Sequence, residues 1–136
     1  AVAEIPDDAA VILVHDAARP LLQSAVVDRL LKALFQGFDG AVPGLPLTDT
    51  VKRWRDGVVV ETLPRAELVA VQTPQAFLAD VLRRALLGEI ADSTDCASLV
   101  ERAGGRVTVV PGDPRLAKVT GPEDVARVLA LLHEGA

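Results

Sequence analysis

The sequence is short of cysteine, of aromatic side chains and of long apolar runs. Its 136 residues include a single cysteine, Cys96, so no intramolecular disulfide can form, and we expect a reducing, cytoplasmic location. One Trp, three Phe and no Tyr leave the core to Val, Leu, Ile and Ala, which is typical of α/β layers. Because no apolar run approaches the length of a membrane span, a membrane is not an expected partner.

Basic residues are also in deficit. The chain has 14 Lys and Arg against 19 Asp and Glu, which gives a formal net charge of -5. A nucleic-acid partner is therefore not expected, because such a binder needs a basic face. A small anionic substrate is compatible with this charge, since its site needs only a few cations that converge locally.

The hydrophobic pattern alternates between short apolar runs and helical periods, which predicts an α/β fold with a mostly parallel sheet. Pro43 predicts that little strand pairing continues beyond residue 43, because proline cannot donate a hydrogen bond to a neighbouring strand. Thr120 and Glu123 have the spacing of a capping box that opens the last helix. The predicted strands cover residues 11–14, 41–43, 69–72, 106–110 and 117–119, the first of them buried and parallel, and the predicted helices cover 24–34, 76–87, 95–103 and 122–132.

A β-hairpin interrupts this alternation. The runs 50–54 and 58–63 flank Asp56-Gly57, a strong hairpin signal because both turn positions need positive φ. A two-stranded ribbon alone is marginal in water, so its apolar residues need cover, for which a second subunit is the simplest candidate. These residues are Val51, Val58, Val60 and Leu63.

The residues that follow each predicted strand are the candidates for a site, because ligands bind beyond the carboxyl ends of the strands in open α/β sheets. Asp16 comes soon after the first strand, where a carboxylate can hold Mg²⁺ or another divalent cation, directly or through water. Ala17 and Ala18 leave room for a ligand to approach. Arg19 could face a phosphate or, equally, pair with Asp16 and fix the loop, and His15 is expected to pack or cap the strand end.

Hydroxyl and amide groups follow two later elements. Thr73 and Gln75 can bind phosphate or sugar oxygens, although the residues alone favour a simple turn at Pro74. Ser93-Thr94-Asp95 is typical of a helix N-cap, and the same geometry favours anions, so the two interpretations are compatible.

Cationic side chains complete the set. Lys118 lies just before the capped helix, where it could bind a phosphate or be an ordinary surface lysine. Arg65 follows the hairpin, and Lys52 and Arg53 lie within it. A guanidinium suits phosphate recognition, and a charged ribbon edge that keeps the hairpin soluble is the alternative. Together the candidates predict a phosphate-handling site with a metal.

Five motifs stand in order along the chain: VHDAARP at 14–20, TDTVKR at 48–53, QTPQAF at 72–77, TD with ASLVE at 94–101, and KVT with PED at 118–124. In this order they resemble the motifs of the 2-C-methyl-D-erythritol 4-phosphate cytidylyltransferase family, over essentially the whole chain. The resemblance implies a Rossmann-like α/β fold with helices on both faces of a mostly parallel sheet and a protruding β-hairpin arm. It also implies transfer of CMP from CTP to the substrate phosphate, with release of pyrophosphate.

The same resemblance implies roles on the nucleotide side of the site. Asp16 is expected to hold Mg²⁺ or another divalent cation near the triphosphate, with Ala17 beside the nucleotide. Lys118 is expected to contact the phosphates and to stabilise the charge that develops in the transition state.

For the methylerythritol phosphate, the resemblance implies a site shared across a homodimer. Thr50 and Arg65 lie on the arm, about residues 46–66, which is expected to reach into the partner subunit and bind this substrate there. Thr73 and Thr94 are expected to complete the pocket.

One departure from the family concerns the nucleotide. The family's Gly-rich loop, whose Arg and Lys grip the triphosphate, belongs upstream of the first strand, and nothing in the chain replaces it. Together with the absence of Met, this predicts that residues 1–136 form a single, N-terminally incomplete nucleotidyltransferase domain that is inactive alone and has no useful CTP affinity.

Three alternatives stay open at this point. A sibling cytidylyltransferase acting on ribitol 5-phosphate shares the motif order. A non-catalytic homodimerisation module would agree with the missing nucleotide loop. A sugar-nucleotide glycosyltransferase of similar layout is disfavoured, because that fold usually places two aspartates around one residue for the metal, whereas the motif after the first strand has only Asp16.

Overall fold

The computed structural model describes residues 4–88 and 94–134, so Ser93 lies outside the described residues. No helix within these ranges is long and apolar enough to cross a membrane. Single 3₁₀ turns cover Arg65–Glu67 and Pro114–Leu116. In chain order the elements are β1 (Val11–Val14), α1 (Ser24–Phe35), β2 (Gly40–Pro46), β3 (Val51–Arg55), β4 (Val58–Leu63), β5 (Val69–Val71), β6 (Gln75–Leu78), α2 (Ala79–Leu86), α3 (Cys96–Arg102), β7 (Val107–Pro111) and α4 (Pro122–Glu134).

In the main sheet the strands β1, β2 and β7 run in one direction. The other two strands, β5 and β6, run in the opposite direction, and we call this pair the reversed line. Both pair antiparallel with β2, β5 at residues 44–46 and β6 at residues 40–41. On its other edge β2 pairs parallel with β7, and β1 pairs antiparallel with β6. The order across the sheet is therefore β1, the reversed line, β2 and β7.

This arrangement confirms the α/β class and corrects the expected mostly parallel pairing. Three ladders of the described sheet are antiparallel and one is parallel, because the reversed line separates β1 from β2. Helix α1 lies between β1 and β2, which run in the same direction, as a crossover between parallel strands requires, whereas the hairpin joins β2 to β5 and returns the chain antiparallel. Helices α2 and α3 lie between β6 and β7, which run in opposite directions. The first strand is likewise not the buried parallel strand predicted, since Leu13 and Val14 are exposed.

Helices cover both faces of the sheet, as expected. Successive strand residues point to opposite faces. Ala41 and Ala76 pack in one cluster with Leu30 of α1, whereas their neighbours Val42 and Phe77 pack in a second cluster, with residues of α2 and α3. The sheet therefore has a core on each side.

Two strand boundaries differ from the prediction. β2 continues past Pro43 to Pro46. The missing N–H of Pro43 faces the break between β5 and β6, where the Pro43 carbonyl accepts a hydrogen bond from the Gln72 N–H at 2.8 Å. Residues 76–78, predicted as the start of a helix, belong to β6, because pairing with β1 and β2 outweighs local propensity.

The predicted last strand, 117–119, is not a strand. The chain makes the 3₁₀ turn Pro114–Leu116, and Leu116 is fully buried. A backbone hydrogen bond from the Val119 N–H to the Ala18 carbonyl, at 2.8 Å, joins this segment to the loop after β1. The short apolar run that suggests a strand thus anchors a loop instead.

The β-hairpin arm is confirmed. β3 and β4 form a two-stranded sheet of their own, joined by Asp56 at φ 50° and Gly57 at φ 80°. Trp54 and Val58 on it are 69% and 64% exposed, so residues 4–88 and 94–134 do not cover the arm.

The start of α4 is capped by Asp124 rather than by the predicted Glu123. One oxygen of Asp124 accepts hydrogen bonds from the Thr120 N–H, the Thr120 hydroxyl and the Gly121 N–H, at 2.8, 2.7 and 3.1 Å. These bonds, that of the Thr120 N–H above all, lower the pKa of Asp124 from its ordinary value of 3.8.

Candidate functional site

Asp16 meets two cations beyond the end of β1. Its Oδ2 lies 3.3 Å from Lys118 Nζ and 3.4 Å from Arg19 Nε. The Asp16 and Lys118 side chains are 37% and 48% exposed, so the pair faces an opening rather than the core. Two cations on one carboxylate leave an excess of positive charge, which suits an anionic ligand.

Arg19 is a structural member of this group. Its guanidinium Nη1 donates to the Leu116 carbonyl at 2.5 Å, while Nε faces Asp16 without hydrogen-bond geometry. Of the two alternatives for Arg19, pairing with Asp16 is the one observed. Arg19 therefore holds the loop after β1 against the loop that carries Lys118.

Thr73 fixes the loop that carries Asp16. The Thr73 hydroxyl oxygen accepts a hydrogen bond from the Asp16 N–H at 2.9 Å and lies 3.0 Å from His15 Nδ1. His15 Nε2 lies 3.0 Å from the Arg19 carbonyl, which can only accept. We assign the proton of a neutral His15 to Nε2, so Nδ1 accepts from the Thr73 hydroxyl. His15 thus supports the strand end, as predicted.

The sequence prediction missed Gln72, which it placed inside a strand. Gln72 is 5% exposed, and its side chain donates from Nε2 to the Asp113 carbonyl at 2.9 Å and accepts from the Asp113 N–H at 3.0 Å. The one available signal was a polar residue at the end of an apolar run. Gln72 ties the segment of Thr73 to the loop after β7.

Gln75 is not available as a ligand, contrary to the functional alternative for it. It is 3% exposed, donates from Nε2 to Asp95 Oδ2 at 2.7 Å and accepts from the Ala97 N–H at 3.2 Å. Asp95 is the N-cap of α3 and accepts from the Ser98 N–H at 2.9 Å, which confirms the N-cap interpretation. Thr94, just before the cap, is exposed.

Cys96, the first residue of α3, is partly buried against the core. Burial raises the pKa of its thiol, and the neighbouring Asp95 carboxylate adds to this shift. The thiol is therefore a poor nucleophile at neutral pH.

The arm residues Thr50 and Arg65 are exposed and apart from the Asp16 group. Arg65 Nη1 donates to the Thr48 carbonyl and borders an open groove of about 540 Å³, whose lining includes neither Asp16 nor Lys118. Among the described residues no hydrogen bond or ion pair links Thr50 or Arg65 to Asp16. The chain thus brings Asp16, Thr73 and Lys118 together and leaves the arm pair outside.

Lys52 and Arg53 of the arm each bond to a side chain of the opposite strand. Lys52 Nζ donates to the Thr62 hydroxyl at 2.6 Å, and Arg53 Nε pairs with Glu61 at 2.8 Å. These cross-strand pairs match the alternative of a solvated ribbon edge.

Asp16 provides the carboxylate of this site that could bind a divalent cation. In residues 4–88 and 94–134, no group of three or more His, Cys, Asp or Glu could hold a metal ion. Asp16 uses Oδ2 for both cations, which leaves Oδ1 as the oxygen to offer. This donor set fits Mg²⁺, which commonly binds through one or two carboxylates together with substrate phosphates and water.

Fold and site together define an α/β protein with a carboxylate and two cations grouped beyond the end of β1. A family model described as IspD, 2-C-methyl-D-erythritol 4-phosphate cytidylyltransferase, matches residues 1–134. The chain belongs to this family.

Individual relatives agree. The 2-C-methyl-D-erythritol 4-phosphate cytidylyltransferase of Rhodococcus jostii is 45% identical over 133 residues, which cover 97% of this chain and 59% of that protein. The bifunctional enzyme IspD/IspF of Nitratidesulfovibrio vulgaris is 49% identical over 129 residues, which cover 91% of this chain and 32% of that protein. The chain therefore spans about a third to three fifths of the length of these relatives.

Solved structures show the same likeness. A crystal structure of 4-diphosphocytidyl-2C-methyl-D-erythritol synthase superposes with a TM-score of 0.78 at 43% identity, covering 90% of this chain and 56% of that one. The 2-C-methyl-D-erythritol 4-phosphate cytidylyltransferase of Thermus thermophilus superposes with a TM-score of 0.78 at 34% identity, covering 90% and 62%. The predicted family and Rossmann-like fold are confirmed.

Proposed function

We propose that this protein acts as a cytidylyltransferase, transferring CMP from CTP to 2-C-methyl-D-erythritol 4-phosphate in the non-mevalonate isoprenoid precursor pathway. The observation that carries the proposal is the Asp16–Lys118 pair, 3.3 Å apart at the sheet edge and held beside Thr73. Family membership supplies the choice of substrates. A cytoplasmic setting is part of the proposal, supported by the single cysteine.

The chemistry asks little covalent help from the protein. A phosphate oxygen of the acceptor attacks the α-phosphorus of CTP, and the bond from that phosphorus to the bridging oxygen breaks to release pyrophosphate. Since the acceptor phosphate is already an anion, no strong base is needed, and charge neutralisation and positioning remain. Lys118 supplies a cation for the charge that develops on the phosphates, and Arg19 and Thr73 hold the Asp16 loop in register with it.

Asp16 is the residue that would hold Mg²⁺ or a similar cation. Such an ion, when bound, supplies further neutralisation of the triphosphate. Ala17, exposed in the turn that Arg19 N–H closes onto the Asp16 carbonyl at 3.0 Å, would lie against the nucleotide.

The acceptor pocket is proposed to form across a homodimer. Support comes from the exposed apolar residues Trp54, Val58 and Val60 of the arm. It also comes from Thr50 and Arg65, which lie on the arm outside the Asp16 group. If a partner subunit's arm carries these two residues to the opening, they meet Thr73 and Thr94 there. A fork-shaped guanidinium such as that of Arg65 suits the acceptor phosphate.

Pyrophosphate release tests the proposal. The full-length protein, with any sequence that flanks residues 1–136, receives CTP and Mg²⁺ with either 2-C-methyl-D-erythritol 4-phosphate or ribitol 5-phosphate, in parallel with an Asp16→Asn variant. We expect turnover confined to the first acceptor and strongly reduced in Asp16→Asn. Turnover with ribitol 5-phosphate would keep the chemistry and change the pathway, whereas no turnover with either would favour the non-catalytic dimerisation module.

A further inference from the structure

We propose that Gln72 and Gln75 are positioning residues that hold different halves of the site, Gln72 the Lys118 half and Gln75 the Thr94 half. They lie on either side of Thr73 and Pro74, Gln72 directly after β5 and Gln75 as the first residue of β6. They are also the two buried polar residues of the described chain. The assignment of substrates to each half rests on the proposed function.

Gln72 makes a two-way bridge to the backbone of Asp113. With the Asp113 N–H and carbonyl both bonded to one side chain, at 3.0 and 2.9 Å, the loop after β7 is fixed where it leaves the sheet. Space at the bridge is tight, since a Cβ on Gly112 would come within 2.3 Å of Gln72 Oε1. The Asp113 side chain then accepts from the Arg115 N–H at 2.8 Å and starts the turn that leads to Lys118.

Gln75 makes the corresponding bridge to the start of α3. The Ala97 N–H lies in the first turn of the helix and has no intrahelical acceptor, so Gln75 Oε1 satisfies it at 3.2 Å. Gln75 Nε2 simultaneously orients the Asp95 carboxylate at 2.7 Å, whose other oxygen caps Ser98. Thr94 is the residue just before this anchored cap.

The Gln72 and Gln75 bridges hold different segments of the site, so their loss should affect different kinetic parameters. Loosening the Gln72 bridge displaces Lys118, whose contact strengthens in the transition state, so kcat and kcat/KM fall together. Loosening the Gln75 bridge displaces Thr94, which is proposed to bind the acceptor in both states, so KM for the acceptor rises.

Gln72→Met and Gln75→Met test this separation, since methionine has a similar shape and no hydrogen bonds to offer. Exposed Gln36→Met is the matched control. In the intact protein we expect Gln72→Met to lower kcat by about tenfold to a hundredfold, and Gln75→Met to raise KM for 2-C-methyl-D-erythritol 4-phosphate by about tenfold. Equal effects of both variants on both parameters, or no effect beyond the control, would overturn the proposal.

Hydrogen exchange tests the bridges without turnover. Gln72→Met is expected to speed amide exchange in residues 112–120 but not in 94–102, and Gln75→Met the reverse, by about tenfold for a lost hydrogen bond. In the unaltered protein, the Asp113 and Ala97 amides must be protected, and rapid exchange at either would refute the bridge even if a variant does not fold. Absence of turnover in the unaltered protein would refute the proposed function. The exchange pattern tests the Gln72 and Gln75 bridges independently of turnover.

Discussion

Replacing Lys118 by Ala should separate catalysis from stability. The Asp16–Lys118 contact is an ion pair between half-exposed side chains, 3.3 Å apart, and such pairs contribute only about 0.2–1 kcal/mol to folding. Arg19 stays beside Asp16 at 3.4 Å, so the carboxylate keeps one cation. We therefore expect the free energy of unfolding to change by less than about 1 kcal/mol.

The effect on turnover should be much larger. If Lys118 meets the charge that develops on the phosphates, its removal costs about 3–4 kcal/mol of transition-state stabilisation, or about a hundredfold to a thousandfold in kcat. The excess positive charge at the sheet edge would also disappear.

Pyrophosphate release and urea unfolding, measured on the same samples of the intact protein, give the two numbers. Lys32→Ala, at an exposed lysine in the last turn of α1, is the matched control and should change neither. A folded Lys118→Ala protein with kcat within about twofold of the unaltered protein would refute the catalytic role. A loss of stability above about 2 kcal/mol would instead show that Lys118 is structural.

Three further outcomes follow from the structure. Leu116→Ala, at a fully buried side chain, should lower the free energy of unfolding by about 2–5 kcal/mol in urea denaturation, and a smaller loss would mean that the 3₁₀ turn collapses freely. The pKa of Asp124 is lowered in the folded state, so the ionised carboxylate stabilises the protein at pH values above the ordinary pKa of 3.8. The unaltered protein should therefore melt at a higher temperature than Asp124→Asn, and this difference should vanish as the pH falls through the pKa of the folded state. If the proposed homodimer forms through the exposed arm, Val60→Asp should give a monomer in sedimentation, and a dimer unchanged by this substitution would place the interface elsewhere.

Short-range sequence patterns predicted the elements that are held by interactions between neighbours in the sequence. The predicted helix 24–34 appears as Ser24–Phe35, because its apolar period is complete and Gly37 adopts φ 97° just beyond it. Asp56-Gly57 fixed the hairpin for the same reason, since both turn positions have the positive φ that these residues tolerate. In these cases neighbours in sequence supply the decisive interactions.

Contacts between distant segments decided what the sequence could not show. Residues 76–78 have a helical pattern, yet they pair with β1 and β2 on both sides, which no local pattern reveals. Gln72 and Gln75 likewise take their roles from partners at Asp113, Asp95 and Ala97, 20 or more residues away. Buried side-chain bridges of this kind depend on topology that a single sequence does not display.

The reversed line explains why Thr73 lies beside Asp16. Thr73 was selected because it follows a strand, on the rule that ligands bind at carboxyl ends of strands. In the structure it precedes β6, and Gln75, the first residue of that strand, lies opposite Val14, the last residue of β1. An antiparallel neighbour therefore presents its starting end at the edge where β1 finishes, and Thr73 reaches Asp16 for that reason. The rule singles out Thr73, but its contact with Asp16 comes from the reversal of the β5–β6 line.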